Sequence, residues 1–185
     1  MNKDKVILYH AISVLNEDFS ASVEKIANAA QVNKRTLYRY YKDRDTLISA
    51  CYANMLDTWY EAMLAAYNGD AHPIKQLEQM LYAAIDCGVK YLFLSAVESK
   101  DGNNDIHRTE KFIAYEKARD KWFGIIPELQ EKNVIDRQLS GPWIRLLFVN
   151  TVRTSVQALK AGDVAQNDLK RLAWLCFSRS IGITG

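Results

Sequence analysis

Glycine and proline are scarce at the front of this chain. Of its eight glycines and three prolines, none precedes Gly69. That absence excludes glycine turns and proline breaks from the first 68 residues, leaving helix-compatible stretches joined by tight polar turns. Cysteine is scarce as well. Cys51, Cys87 and Cys176 lie far apart, form no Cys-x-x-Cys pair and are odd in number. A disulfide framework is therefore excluded, and reduced, mostly buried thiols are expected. The three histidines, His10, His72 and His107, lack the i, i+4 spacing of a helical metal site, so neither metal nor cofactor is expected.

Long apolar runs are missing too. The longest stretches without a charged residue, Val6–Asn16 and Thr46–Leu56, have 11 residues each. A membrane-spanning helix needs about 18 or more. Residues 1–22 imitate a signal peptide, with Lys3 and Lys5 ahead of Val6–Leu15 and the small residues Ser20–Ser22. Glu17 and Asp18 interrupt the approach to any cleavage site, and Tyr9, His10 and Ser13 break the apolar run. A cytoplasmic protein without membrane contact is the expectation. No period-2 alternation flanked by turn residues argues for a hairpin. No internal repeat, nucleophile elbow, Gly-rich phosphate loop, metal cluster or assignable carboxylate pair is found, so an enzyme is not expected.

What is present is a chain of 185 residues, 49% hydrophobic and 25% charged, the balance of a folded globular protein. Helical spacing predicts helices over about 3–18, 23–30, 34–41, 44–67, 73–99 (one or two), 105–125, 142–161 and 165–181. Pro127 is expected to open a further short turn through about 132. The fold class is all-α, with nine to ten helices. On the first helix, Ile7, Ala11, Val14 and Leu15 share one face. Residues 99–105 read as a polar loop. Asp101, Asn103 and Asp105 alternate there, but Gly102 is misplaced for a calcium loop and no closing Glu follows.

The informative segment is Ser22 to Asp43. Ser22 is a good N-cap for a short helix with Ile26, Ala27 and Ala30 on one face. Asn33 is a good N-cap for the next, leaving about three residues of turn. Two short helices so joined, behind a longer one, describe a helix-turn-helix. Val32, Leu37 and Tyr41 are expected to face the core. Lys34, Arg35, Tyr38, Arg39 and Lys42 fall at helical steps on the other side. Such a face suits the major groove, where Arg and Lys reach guanine edges and phosphates and Tyr hydroxyls reach phosphate oxygens. The expected DNA-binding residues are Ser22, Lys34, Arg35, Thr36, Tyr38, Arg39, Tyr40, Lys42 and Arg44. Asp43 is expected to cap the following helix.

The charge distribution agrees. Residues 31–44 hold five cations against one anion, a net +4, and the remaining 19 cations and 21 anions leave −2. The total of +2 therefore hides a basic head on a slightly acidic body.

The run Ser22…Ile26-Ala27…Ala30-x-Val32-Asn33…Thr36-Leu37-Tyr38-x-Tyr40-Tyr41-x-Asp43…Leu47 resembles the DNA-binding domain of the tetracycline-repressor (TetR) family. The resemblance covers about residues 3–50, and Thr-Leu-Tyr-x-Tyr-aromatic is its most specific part. Three positions depart from the pattern. Gln31 stands where a turn glycine is usual, Asn33 where a small hydroxyl residue is usual, and Arg35 where glycine is frequent. A left-handed backbone at Gln31 costs on the order of 1 kcal/mol relative to glycine.

The resemblance implies a homodimer on a palindromic double-stranded operator. It also implies a small-molecule effector in the C-terminal domain, and pairing of the last two long helices as a four-helix bundle. Residues 1–47 then form the DNA-binding domain, and residues 48–185 the helical ligand-binding and dimerisation domain. Candidate dimer residues are Leu147, Val152, Val156 and Leu159 on one helix, with Leu169, Leu172, Ala173, Cys176 and Phe177 on the next. Ile144 and Phe148 share the first of these stripes. Recognition by one short helix is weak, which favours two heads. The helix carrying Leu47, Ile48, Cys51, Met55 and Trp59 is the candidate for coupling. Candidate pocket residues are Trp59, Tyr82, Tyr91, His107, Tyr115, Arg119, Trp122 and Phe148. Asn150, Arg145 and Arg153 are further polar candidates, the two arginines being expected to pair with acids. An adaptor of the same fold, binding a protein through its C-terminal domain, is the alternative.

Overall fold

The computed structural model describes residues 3–88 and 110–183. These residues form helices α1 (Lys3–Glu17), α2 (Val23–Ala29), α3 (Lys34–Tyr40), α4 (Arg44–Asn68), α5 (Pro73–Asp86), α6 (Glu110–Phe123), α7 (Ile125–Glu131), α8 (Gly141–Ala161) and α9 (Gln166–Ser180). There is no strand among the described residues. The fold is all-α, as its spacing predicts. Tyr91, His107 and the 99–105 loop lie outside the described residues.

Side-chain caps start the helices where polar residues stand. Ser22 accepts from the Lys25 amide, Asn33 from the Thr36 amide, Asp43 from the Thr46 amide and Ser140 from the Trp143 amide. α7 begins at Ile125, two residues before Pro127. Proline fits the first turn because amides there have no partner within the helix.

Four helices end by one device. Val32 donates to the Ala27 carbonyl and Gln31 to that of Asn28; Gln31 takes φ 54°. After α7, Val134 donates to Leu129 and Asn133 to Gln130, with Asn133 at φ 54°. After α8, Asp163 donates to Ala158 and Gly162 to Leu159, with Gly162 at φ 77°. After α9, Ile183 donates to Ser178 and Gly182 to Arg179, with Gly182 at φ 90°. These paired bonds satisfy the last carbonyls, and each needs one left-handed residue. Glycine and asparagine suit that role. Gln31 does not, so the turn between α2 and α3 carries local strain.

The chain divides into two compact units, and α4 belongs to the first up to Thr58 and to the second from Trp59. A boundary drawn at residue 47 and one drawn at Thr58 both fall inside α4, because no breaker interrupts that helix. In the first unit α1 packs on α2 and α2 on α3. Its core includes Ile7, Leu8, Ala11, Ile12, Leu15, Ile26, Ala27, Leu37, Leu47 and Met55. Val14, expected on the buried face of α1, is only half-buried; Leu8 and Ile12 complete that face instead.

In the second unit α8 and α9 pack along each other and against α5. Phe148 sits at the centre, edge-on to Phe123 at 5.3 Å and to Phe177 at 5.5 Å. Gly88 meets Val156 so closely that a Cβ at position 88 would overlap the valine side chain. Among the described residues no helix is long and apolar enough to cross a membrane.

A candidate nucleic-acid interface

α3 has one buried side chain, Leu37, fully inaccessible. At 3.6 residues per turn, positions two away point about 200° round the helix. Arg35 and Arg39 therefore point away from the core. Lys34, Arg35, Tyr38, Arg39, Tyr40 and Lys42 are all exposed, and Thr36 and Val32 are half-buried. Two of the cations rest on neighbouring rings. Lys34 Nζ lies 5.9 Å from the Tyr38 centroid, and the Arg39 guanidinium 5.5 Å from that of Tyr40.

Two long-range ties hold the segment after α3. The Tyr41 hydroxyl donates to the Asp4 carboxylate on α1. The Arg44 guanidinium donates to the Phe19 carbonyl and covers the Phe19 ring at 5.5 Å. Burial first, and the Asp4 bond second, push the Tyr41 phenol well above its ordinary range. It stays protonated and stays a donor. Arg44, expected among the DNA-binding residues, is half-buried and makes this tie. Its guanidinium holds Phe19 rather than standing on the exposed face. Between the ties, the Thr46 hydroxyl and amide hold the Asp43 carboxyl below the usual carboxylate range. Exposed Ser22 uses an oxygen lone pair to cap α2, which leaves its hydroxyl hydrogen to donate.

The candidate pocket residues do not form one cluster. Tyr115, Arg119 and Trp122 meet on α6, with the Tyr115 and Trp122 rings 6.2 Å apart and Arg119 6.0 Å from the Tyr115 centroid. Tyr60, not foreseen, joins Trp122 at 5.7 Å. Arg119 also pairs with Glu116 at 3.2 Å and Asp120 at 3.5 Å. Arg145 reaches Asp120 at 3.8 Å. Phe148 belongs to the aromatic core, and Trp59 and Trp122 are buried. Tyr82 stands elsewhere. It donates to Glu78 at 2.7 Å, and burial followed by that bond raises its phenol to about 12. With Gln79, Asp86 and Lys170 it lines a groove of about 450 Å³.

The candidate dimer stripe splits in two. Val152, Val156 and Phe177 are buried within the second unit and offer no surface to a partner. The resemblance implied a dimer contact for these three, but α8 and α9 turn them to the core. Leu147, Leu172 and Cys176 line a shallow groove of about 340 Å³ along α8 and α9, together with Leu169 and Ala173, which are themselves buried. Asn150, Thr154 and Ala158 join them there, and Leu159 is exposed. Of the cysteines, Cys51 is buried, which pushes its thiol up to about 12. Cys176 is exposed, against the expectation of mostly buried thiols.

Residues 9–51, which span the whole helix-turn-helix, match the family model of the tetR family of bacterial regulatory proteins. These residues therefore carry a TetR-type helix-turn-helix domain. Its helix-turn-helix is the DNA-binding module of a transcriptional regulator.

Solved structures share the fold. The TetR-like regulator LfrR from Mycobacterium smegmatis, in complex with proflavine, is 23% identical over 99% of this chain and 97% of its own, with a TM-score of 0.75. The ketosteroid transcriptional regulator KstR2 of Mycobacterium tuberculosis is 14% identical over 98% and 96%, with a TM-score of 0.75. The fatty acid degradation regulator FadR from Bacillus halodurans is 19% identical over 98% and 96%, with a TM-score of 0.70. No curated protein matches the chain in sequence.

Proposed function

We propose that this chain is a cytoplasmic, ligand-responsive repressor that binds a palindromic operator as a homodimer. The observation that carries the reading is the outer face of α3, where exposed cations and tyrosines stand opposite a single buried leucine. Ser22, Lys34, Arg35, Tyr38, Arg39, Tyr40 and Lys42 contact the duplex. Thr36 lies at the edge of that face.

The two-fold contact uses the groove along α8 and α9. Its small side chains, Thr154, Ala158 and Ala173, let a partner helix approach closely. Two heads about 34 Å apart, one helical turn, then read two half-sites. The effector is a small, largely apolar molecule held by the second unit, with Tyr60, Tyr115, Arg119 and Trp122 as the polar and aromatic contacts. Structural relatives described with proflavine bound, or as a ketosteroid regulator, support that class. An effector shifts operator affinity only by binding one arrangement of the heads more tightly than another.

Selection of bound duplexes from a random library tests the proposal. An inverted repeat supports two symmetric heads, and a single unpaired half-site contradicts them. A thermal shift rising with concentration identifies a true effector.

A second reading, a protein partner in place of a small molecule, is favoured by one observation. Trp143 and Leu146 stand about half exposed at the start of α8. A stoichiometric protein recovered with the purified chain, and no bound small molecule, supports it.

A further inference from the structure

The sequence of α3 breaks a rule of helix design at Arg35. Its first turn carries Lys34 and Arg35 and no acidic residue. Amides without helical partners give that end a partial positive charge, so cations there are unfavourable, and adjacent cations repel. Among the described residues Arg35 makes no hydrogen bond, ion pair or ring contact. The other cations of the head differ. Lys34 lies over Tyr38, Arg39 over Tyr40, and Arg44 is tied to Phe19. Lys42 is exposed, but it lies beyond the end of α3. Arg35 thus combines three properties. It is in the first turn, it stands about 200° from the buried Leu37, and it has no partner among the described residues.

We infer that Arg35 is the specificity-determining residue of the head, and that it reads a guanine in the major groove. A recognition helix presents its N-terminal residues to base edges, while more C-terminal cations meet the backbone. The guanidinium fork donates two parallel bonds to guanine O6 and N7. Lysine cannot reproduce that fork. Lys42 and Arg39 then act on phosphates, which carry no sequence information. The inference rests on the DNA-binding reading above and adds to it which residue discriminates.

The test selects duplexes from a random library with the intact chain and with Arg35→Ala, Arg35→Lys and Lys42→Ala. Intact protein is expected to select a motif holding a guanine in each half-site. Arg35→Ala should still bind, with preference for that one guanine reduced about 10- to 100-fold and the other positions unchanged. Arg35→Lys should keep the salt dependence and lose most of the preference. Lys42→Ala should keep the motif and weaken all sequences alike. The melting temperature of Arg35→Ala should equal or exceed that of the intact chain, since an unfavourable charge is removed from the helix start. A motif retained in full by Arg35→Ala overturns the inference, as does an even loss over all sequences. Failure of the intact protein to bind any duplex in a salt-dependent way overturns the DNA-binding reading as well.

Discussion

The two units use their polar and aromatic side chains in opposite ways. In the first, polar groups build the reading head. Ser22, Asn33 and Asp43 cap three successive helices, and Tyr41 and Arg44 tie the segment after α3 to Asp4 and Phe19. Its tyrosines at 38 and 40 stand outside, under cations. In the second, aromatic rings build the interior, through Phe123, Phe148 and Phe177, and the charged groups pair at the surface. The lesson is that stability and recognition are concentrated in different places. Damage to the body should appear as lost stability, and damage to the head as lost DNA affinity.

The sharpest contrast is Phe148→Ala. Removing the ring between two others leaves a cavity, and a loss of about 3–5 kcal/mol is expected in chemical denaturation. Gly88→Ala comes next. The added methyl meets buried Val156, and a loss of about 1–3 kcal/mol is expected. Combining it with Val156→Ala should recover part of that loss, and no recovery would show that the overlap is not the cause.

In the head the expected stability effects are smaller. Asn33→Ala removes the cap of α3 and should cost about 1 kcal/mol while weakening duplex binding more than its stability loss alone explains. Gln31→Gly relieves a left-handed residue at some cost in unfolded-chain entropy, for a net gain of about 0.5 kcal/mol. The smallest effect is one of pH. The Asp43 carboxyl is lowered in the folded head, so its contribution is complete above its unfolded value and is lost as pH falls through the folded one. Stability measured across the acid range should therefore fall less steeply for Asp43→Asn than for the intact chain.

The head was legible because its signals are local. Caps, turn and exposed face all lie within Ser22–Asp43, and helical spacing decides which side of α3 is buried. The unusual Gln31 was legible as a question of backbone conformation, and its φ of 54° answers it. Asp4 and Phe19 were not legible. They lie 37 and 25 residues from their partners, and nothing near Tyr41 or Arg44 announces them. The same limit applies to α8 and α9. Both carry apolar residues on more than one side, so spacing could not tell Val152 and Phe177, which fill the core, from Leu147 and Leu172, which line the groove. Candidate pocket residues scattered for a related reason: an aromatic stripe reads the same whether its rings meet each other or a ligand.

In the proposed mode of binding, the cations of the head meet DNA phosphates. Titration of duplex DNA at several salt concentrations, with the intact chain and with Lys34→Ala combined with Lys42→Ala, tests it directly. The intact chain should bind with a logarithmic affinity that falls linearly with the logarithm of salt. The double variant should bind more weakly, with a slope shallower by roughly 2 per head. Equal affinity and equal slope in the two proteins would contradict the account.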